Sequence, residues 1–170
     1  LGIHSAMSTF RAQQLCRNLI IVQPDFARYK AASMAMRAIF ADYTDLIEPL
    51  SLDEAYLDVS GQPHCEGSAS RMAQEIRARI EREVGITASA GIAPNKLLAK
   101  IASDWRKPDG LFVIRPSQVE AFLTPLPVGK IHGVGKVMQA KLTSLGIETV
   151  GDLRLRELME LEQRFGRFGK

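Results

Sequence analysis

The sequence predicts an α+β fold: a ferredoxin-like, antiparallel or mixed sheet with helices on one face, followed by a small all-α region with a helix-hairpin-helix. Three observations predict it. Up to about residue 115, apolar β-branched runs and helical stretches follow the order strand, helix, strand, strand, helix, strand. Beyond Pro116 only short helical stretches follow, punctuated by Pro125 and Pro127. With 170 residues, 46% of them hydrophobic and 24% charged, the chain can bury a real core without disulfides.

The elements follow in order. Ser8 is placed to cap a short helix running to Cys16, and residues 19–23 are an apolar run that reads as a strand. Pro24-Asp25 opens a helix to about Tyr43, with Phe26, Tyr29, Met36, Ile39, Phe40 and Tyr43 mostly at helical spacing. Residues 44–50 and 55–59 lose that period and read as two strands around Ser51-Leu52-Asp53-Glu54. Residues 68–84 form an amphipathic helix closed by Gly85, and residues 87–93 a strand of small side chains. Pro94-Asn95 starts a helix to about Trp105. Lys107-Pro108-Asp109-Gly110 is turn chemistry, and residues 111–114 complete the strands. Ser117 to Glu120 has the pattern of a capping box.

Charge and composition narrow the function. The net charge is +3, with 9 basic and 11 acidic side chains in residues 1–90 but 13 and 8 in the remainder, which points to an anionic partner on one side. The longest aliphatic run, residues 19–22, is too short to span a membrane, and no signal peptide is evident, so no membrane partner is expected. Two cysteines, Cys16 and Cys65, build neither a disulfide framework nor a four-ligand zinc site, and a reducing cytoplasm is expected. Neither a Walker A loop nor a dinucleotide glycine fingerprint is present, which argues against an NTPase or a dehydrogenase. The chain starts at Leu1 and ends at Gly169-Lys170 inside a helical pattern, so a piece of a longer protein is expected.

Three groups of residues carry chemistry. Asp53 and Glu54 are adjacent carboxylates between apolar strands; a divalent cation such as Mg²⁺ relieves their repulsion, although a plain polar turn has the same spacing. Lys96 falls in the first turn of a helix, where a cation is unfavourable unless an anion joins it, and Lys100 lies one turn on along the same face. The alternative there is a lysine reaching into water. Residues 131–142 have the pattern of a helix-hairpin-helix: Gly133 and Gly135 let backbone N–H groups approach a phosphate, Lys136 and Lys141 add charge, and Ala140 and Leu142 pack the helices. A tight αα turn without a ligand is the competing reading.

The segment Ser51-Leu52-Asp53-Glu54-Ala55-Tyr56-Leu57-Asp58 resembles the signature of the Y-family translesion DNA polymerases, most closely the bacterial ones. The resemblance continues through Ala88-Ser89-Ala90-Gly91-Ile92-Ala93-Pro94-Asn95-Lys96, through Leu98-Ala99-Lys100-Ile101-Ala102-Ser103-Asp104, through Lys107-Pro108-Asp109-Gly110, and to Gly133-Val134-Gly135-Lys136. These motifs stand in the family's order and cover practically the whole chain. The resemblance implies a DNA-directed DNA polymerase that adds dNTPs to a primer 3′-end by phosphoryl transfer with two Mg²⁺ ions. It implies metal binding and catalysis by Asp53 and Glu54, a triphosphate contact for Lys96, and a weaker phosphate or DNA contact for Lys100. Asp58 is expected to be structural. Gly133, Gly135, Lys136 and Lys141 are implied to hold the duplex backbone, with His132 standing where the family usually has proline. Residues 1–23 then read as a remnant of the fingers, 24–115 as the catalytic palm and 116–170 as the thumb.

Implied partners are primer-template DNA, a dNTP and, for the full-length protein, a sliding clamp whose binding motif is absent here. The first metal-binding aspartate and the aromatic steric gate belong upstream of Leu1, so the piece alone is expected to be inactive. Two other classes compete: a non-catalytic, sequence-independent DNA-binding module built on the hairpin, and a nucleotidyl cyclase, which has no use for the hairpin.

Overall fold

The first four helices begin where the sequence supplies an oxygen for the first free N–H groups. In a computed structural model of the chain, which describes residues 1–169, Ser8 Oγ accepts from Arg11 N at 3.3 Å and starts α1 (Thr9–Leu15). Asp25 Oδ1 accepts from Arg28 N at 3.1 Å ahead of α2 (Phe26–Ala41). Ser68 caps α3 (Ala69–Val84), which ends at Gly85 with φ +77°. Asn95 Oδ1 lies 2.9 Å from Leu98 N and starts α4 (Lys96–Trp105). Among the described residues four short strands accompany them: β1 (Ile47–Pro49), β2 (Ala55–Leu57), β3 (Ala90–Ile92) and β4 (Leu111–Val113). The C-terminal part holds α5 (Val119–Leu123), α6 (Lys136–Ser144), α7 (Val150–Arg154) and α8 (Leu158–Phe165). Lys170, the last residue of the expected thumb, lies outside the described residues.

The α+β class holds, but the strands form two ladders rather than one sheet. β1 pairs antiparallel with β2, and β3 pairs parallel with β4 through the α4 crossover. Residues 19–23 do not form the expected strand. Ile20 is 86% and Val22 82% exposed, and among the described residues no strand runs alongside to complete a ladder. The expected capping box at Ser117 is also displaced. Pro116 opens a 3₁₀ turn, Gln118 Oε1 accepts from Arg115 N at 3.1 Å, and α5 starts only afterwards.

Among the described residues four apolar clusters make the core. α2 and α3 join through Met36, Ile39, Tyr43, Met72, Ile76 and Ile80. α4 enters two others: Leu98 and Ala102 pack with Ile114, while Ile101 packs with Leu126 and Val150. Trp105 adds an edge contact to Phe122, with ring centroids 4.9 Å apart. The last cluster joins Leu142 of α6 to Val128 before that helix and Ile147 after it.

The α4 crossover lies so close to β3 that only glycine fits at position 91. A Cβ there would stand 2.2 Å from Ala99 O and 2.3 Å from Ser103 N, both backbone atoms of α4. Gly91→Ala is therefore expected to lower stability by about 1–3 kcal/mol, seen as an earlier urea midpoint with an unchanged slope. An unchanged midpoint would mean that α4 can slide away without loss.

Candidate active site and nucleic-acid interface

The β1–β2 hairpin presents its acids through its register. Glu48 stands opposite Tyr56, and Pro49 opposite Ala55. Leu50 N and Ser51 N both donate to Glu54 O, at 2.9 and 3.3 Å, which closes the turn. Within the turn, Ser51 Oγ accepts from Asp53 N at 3.3 Å and donates to Asp53 Oδ1 at 2.6 Å. The exposed Asp53 carboxylate is thus oriented by a serine two residues earlier.

Glu54 is half-buried and ion-pairs Lys100, whose side chain is only 13% exposed. Lys96 ion-pairs Glu48 and stands 5.8 Å from the centroid of the Tyr56 ring. The i, i+4 spacing on α4 therefore aims both lysines at one face of the hairpin, as expected from helical geometry. Lys100 meets Glu54 with its side chain largely buried. Lys107 joins the same electrostatic group. Its hydrogen bond to Asp104 raises its pKa above the ordinary lysine value, and the carboxylates of Glu54 and Asp53 add to the effect.

Asp53, Glu54, Lys96, Lys100 and Lys107 all line a cleft of about 1280 Å³ that β2 and β3 border together, with Met72, Ile76 and Ile80 among its apolar walls. Asp58 takes the structural part read from the sequence. Its N–H donates to Leu46 O at 3.0 Å, and its C=O accepts from Thr44 Oγ1 at 2.6 Å. Hydrogen bonds from Ser60 hold its carboxyl below the usual range.

Among the described residues no cluster of three or more His, Cys, Asp or Glu side chains gathers. Asp53 and Glu54 still offer adjacent carboxylate oxygens at the cleft. Hard oxygen donors beside an open, lysine-lined cleft fit a Mg²⁺ ion that shares its shell with phosphate oxygens and water. Glu48 went unread in the sequence, and Ser51, Tyr56 and Lys107 were read there only as motif positions without a role of their own. A signal existed for Glu48, the single acid among Leu46, Ile47, Pro49 and Leu50.

The hairpin before α6 assembles the second group. Val134 N donates to Ile131 O at 3.0 Å, and Gly133 takes φ +93°, a left-handed backbone suited to glycine. Gly135 caps α6 at φ −79°, and nothing stands within 4 Å of a Cβ placed on it. Gly133, Gly135, Lys136 and Lys141 are exposed and share a shallow depression of about 360 Å³ with Val137 and Met138. Leu142 is buried as expected, but Ala140, expected to pack beside it, is exposed. Among the described residues no helix is long and apolar enough to cross a membrane.

Comparison with known proteins gives a consistent picture. Residues 1–104 match the impB/mucB/samB family, and residues 116–147 match the IMS family HHH motif. The chain is 63% identical over 169 residues to DNA polymerase IV of Xanthomonas campestris pv. campestris (strain 8004), covering 99% of this chain and 47% of that protein. It is 59% identical over 169 residues to DNA polymerase IV of Pseudomonas aeruginosa (strain UCBPP-PA14), covering 99% and 48%. The chain thus spans about half the length of the curated relatives it matches. Among solved structures, DinB from Sulfolobus solfataricus superposes with a TM-score of 0.89 at 36% identity, over 98% of this chain and 49% of that one. The insertion ternary complex of Dbh DNA polymerase superposes with a TM-score of 0.88 at 36% identity, over 98% and 49%.

Proposed function

The chain belongs to the impB/mucB/samB family of Y-family polymerases, and from that premise we propose that it is the palm and thumb part of an error-prone translesion DNA polymerase. In this reading residues 1–23 belong to the fingers, 24–115 to the palm and 116–170 to the thumb. The reaction joins a primer 3′-hydroxyl to the α-phosphate of a dNTP and releases pyrophosphate. The observation that carries the reading is the meeting of Asp53 and Glu54 with Lys96 and Lys100 across one cleft.

Each group has a distinct task. Asp53 and Glu54 hold Mg²⁺, and the family's dependence on divalent metal supports that role. When bound, two such ions supply charge stabilisation for the transferring phosphoryl group and lower the pKa of the attacking hydroxyl. Ser51 orients the Asp53 carboxylate. Lys96 pairs with the triphosphate. Lys100 balances the Glu54 charge and keeps that carboxylate facing the cleft. Gly133, Gly135, Lys136 and Lys141 take the duplex backbone, which carries no base information. A cytoplasmic setting accords with two free cysteines, Cys16 and Cys65, and a sliding-clamp partner rests on the resemblance alone.

Primer extension by the whole protein tests this reading. Extension that stops on metal chelation and resumes with Mg²⁺ is expected. Duplex binding without Mg²⁺-dependent dNTP binding would favour the DNA-binding module instead.

The hairpin makes its own prediction. Duplex affinity should be indifferent to sequence and fall steeply with salt. Lys136→Ala should flatten the slope of log affinity against log salt by about 0.9, the contribution of one phosphate contact. Gly135→Val should fold normally, since open space surrounds its Cβ, yet bind duplex more weakly because the added bulk stands where phosphate approaches. A titration of unrelated duplexes across a salt series decides it. An unchanged slope in Lys136→Ala would reduce the hairpin to a packing turn.

A further inference from the structure

Lys107, Pro108 and Asp109, in the turn between α4 and β4, line the same cleft as Asp53 and Glu54. Lys107 is half-exposed and lies near enough to both carboxylates to feel their charge. Three elements hold its turn. Beside α4 the chain folds so tightly that a Cβ on Gly110 would stand 1.8 Å from Arg106 O. On the β3 side, Ser89 Oγ accepts from Gly110 N at 3.1 Å, and Ala90 N donates to Gly110 O at 2.8 Å. From α3 comes Arg77, whose side chain is only 18% exposed. Its Nε donates to Ala88 O at 2.7 Å, while Nη2 donates to Asp109 O at 2.6 Å and pairs with the Asp109 carboxylate. Asp109 itself has φ +47°, a left-handed backbone that a non-glycine residue keeps only where its surroundings enforce it.

We propose that Arg77 is a positioning residue: it holds the turn from Lys107 to Gly110 so that the Lys107 ammonium stays at the cleft, where the phosphate charge of the dNTP arrives. The proposal rests on the reading of this cleft as the dNTP site. Lysine carries its charge on a flexible stem, so its hold on an anion depends on where that stem starts. A planar guanidinium on two backbone carbonyls and a carboxylate fixes that start in angle as well as in distance. The helix that supplies it is itself anchored, since Met72, Ile76 and Ile80 of α3 are core residues. Without the fork, Asp109 relaxes from its left-handed backbone, and Lys107, two residues earlier, moves with it. The donors of Arg77 go to Ala88 and Asp109, so its action on a ligand runs through the turn.

The test is an equilibrium titration of the whole protein with a complementary dNTP and Mg²⁺, on a primer-template whose primer ends in a dideoxynucleotide so that no bond forms. Arg77→Gln is expected to weaken dNTP binding about three- to ten-fold, a part of one charge-assisted phosphate contact, and to leave duplex affinity unchanged. Arg77→Lys keeps the charge but not the fork. It should fall between Arg77→Gln and the parent, and it carries the test if Arg77→Gln does not fold. In a Lys107→Ala background either substitution should change nothing. Unchanged dNTP affinity in whichever variants fold overturns the proposal, even where the urea midpoint drops, because Arg77 is then a brace for stability alone. Equal weakening in the Lys107→Ala background overturns it too, since the effect then bypasses Lys107. If Lys107→Ala leaves dNTP affinity intact, that lysine does not serve the nucleotide and the role of Arg77 falls with it. A parent protein that binds duplex but no dNTP overturns the reading of the cleft itself, and the proposal with it.

Discussion

Asp53→Asn in the whole protein is expected to slow nucleotide incorporation by about 10³-fold or more, while affinity for primer-template changes little. Asparagine keeps the shape and can still receive the Ser51 hydroxyl, so the turn that Leu50, Ser51 and Glu54 close should stay folded. What disappears is the negative charge. A neutral amide oxygen is a poor ligand for Mg²⁺, which prefers carboxylates, and the transferring phosphoryl group then loses its electrostatic clamp. Asp53 is exposed at the tip of a turn, so the loss cannot be attributed to a collapsed core. Single-turnover extension and an equilibrium duplex titration, run on the same preparation, separate the two effects. Near-normal turnover would remove Asp53 from the metal site. Glu54→Gln should act in the same direction, with a further consequence: Lys100 loses its partner inside a nearly buried setting, and some stability goes with it.

Lys96→Ala is expected to lower kcat/KM for the dNTP by about 10- to 100-fold, the range of one charge-assisted phosphate contact. Duplex affinity should hardly move. The side chain is exposed and pairs with Glu48, so its removal leaves the α4 cap at Asn95 and the Leu98 packing in place. The effect should fall mainly on nucleotide affinity, because the ammonium meets the triphosphate in ground and transition states alike. Steady-state kinetics over a dNTP range, beside a duplex titration, would show it. A variant that releases DNA but uses nucleotides normally would make Lys96 a DNA-backbone contact.

The sequence was most legible where structure is local. Ser8, Asp25, Ser68 and Asn95 cap helices within three residues of the N–H groups they receive, so the information lies in one short window. Asp53 and Glu54 sit on a turn that the flanking strands define. Residues 19–23 failed for the opposite reason: a strand exists only beside a partner, and nothing within an apolar run says whether one is near. The capping box at Ser117 failed because Pro116 starts the turn one residue earlier than the serine pattern suggests. Glu48 and Lys96 are 48 residues apart, and their meeting depends on the β1–β2 register and the seating of α4 on Gly91 together. No window of sequence contains both. In the hairpin the two glycines looked equivalent, yet only Gly133 needs its positive φ, while Gly135 stands in open space.

α4 works on three sides at once. Leu98 and Ala102 are seated beneath β4 and α5, Ile101 bears on Leu126, Val150 and Ile131, and Lys96 and Lys100 reach the hairpin acids. Ile131 lies two residues before Gly133, at the root of the loop proposed to hold the duplex. A rod wedged on three sides cannot tilt for one neighbour alone. On the proposed reading, the grip on the duplex and the grip on the nucleotide are geared through this ten-residue helix, about 15 Å long. A duplex that sits badly in the thumb would drag the lysines off the triphosphate. On that reading, a strain at the loop root reaches both lysines through Ile101, on the helix that carries them.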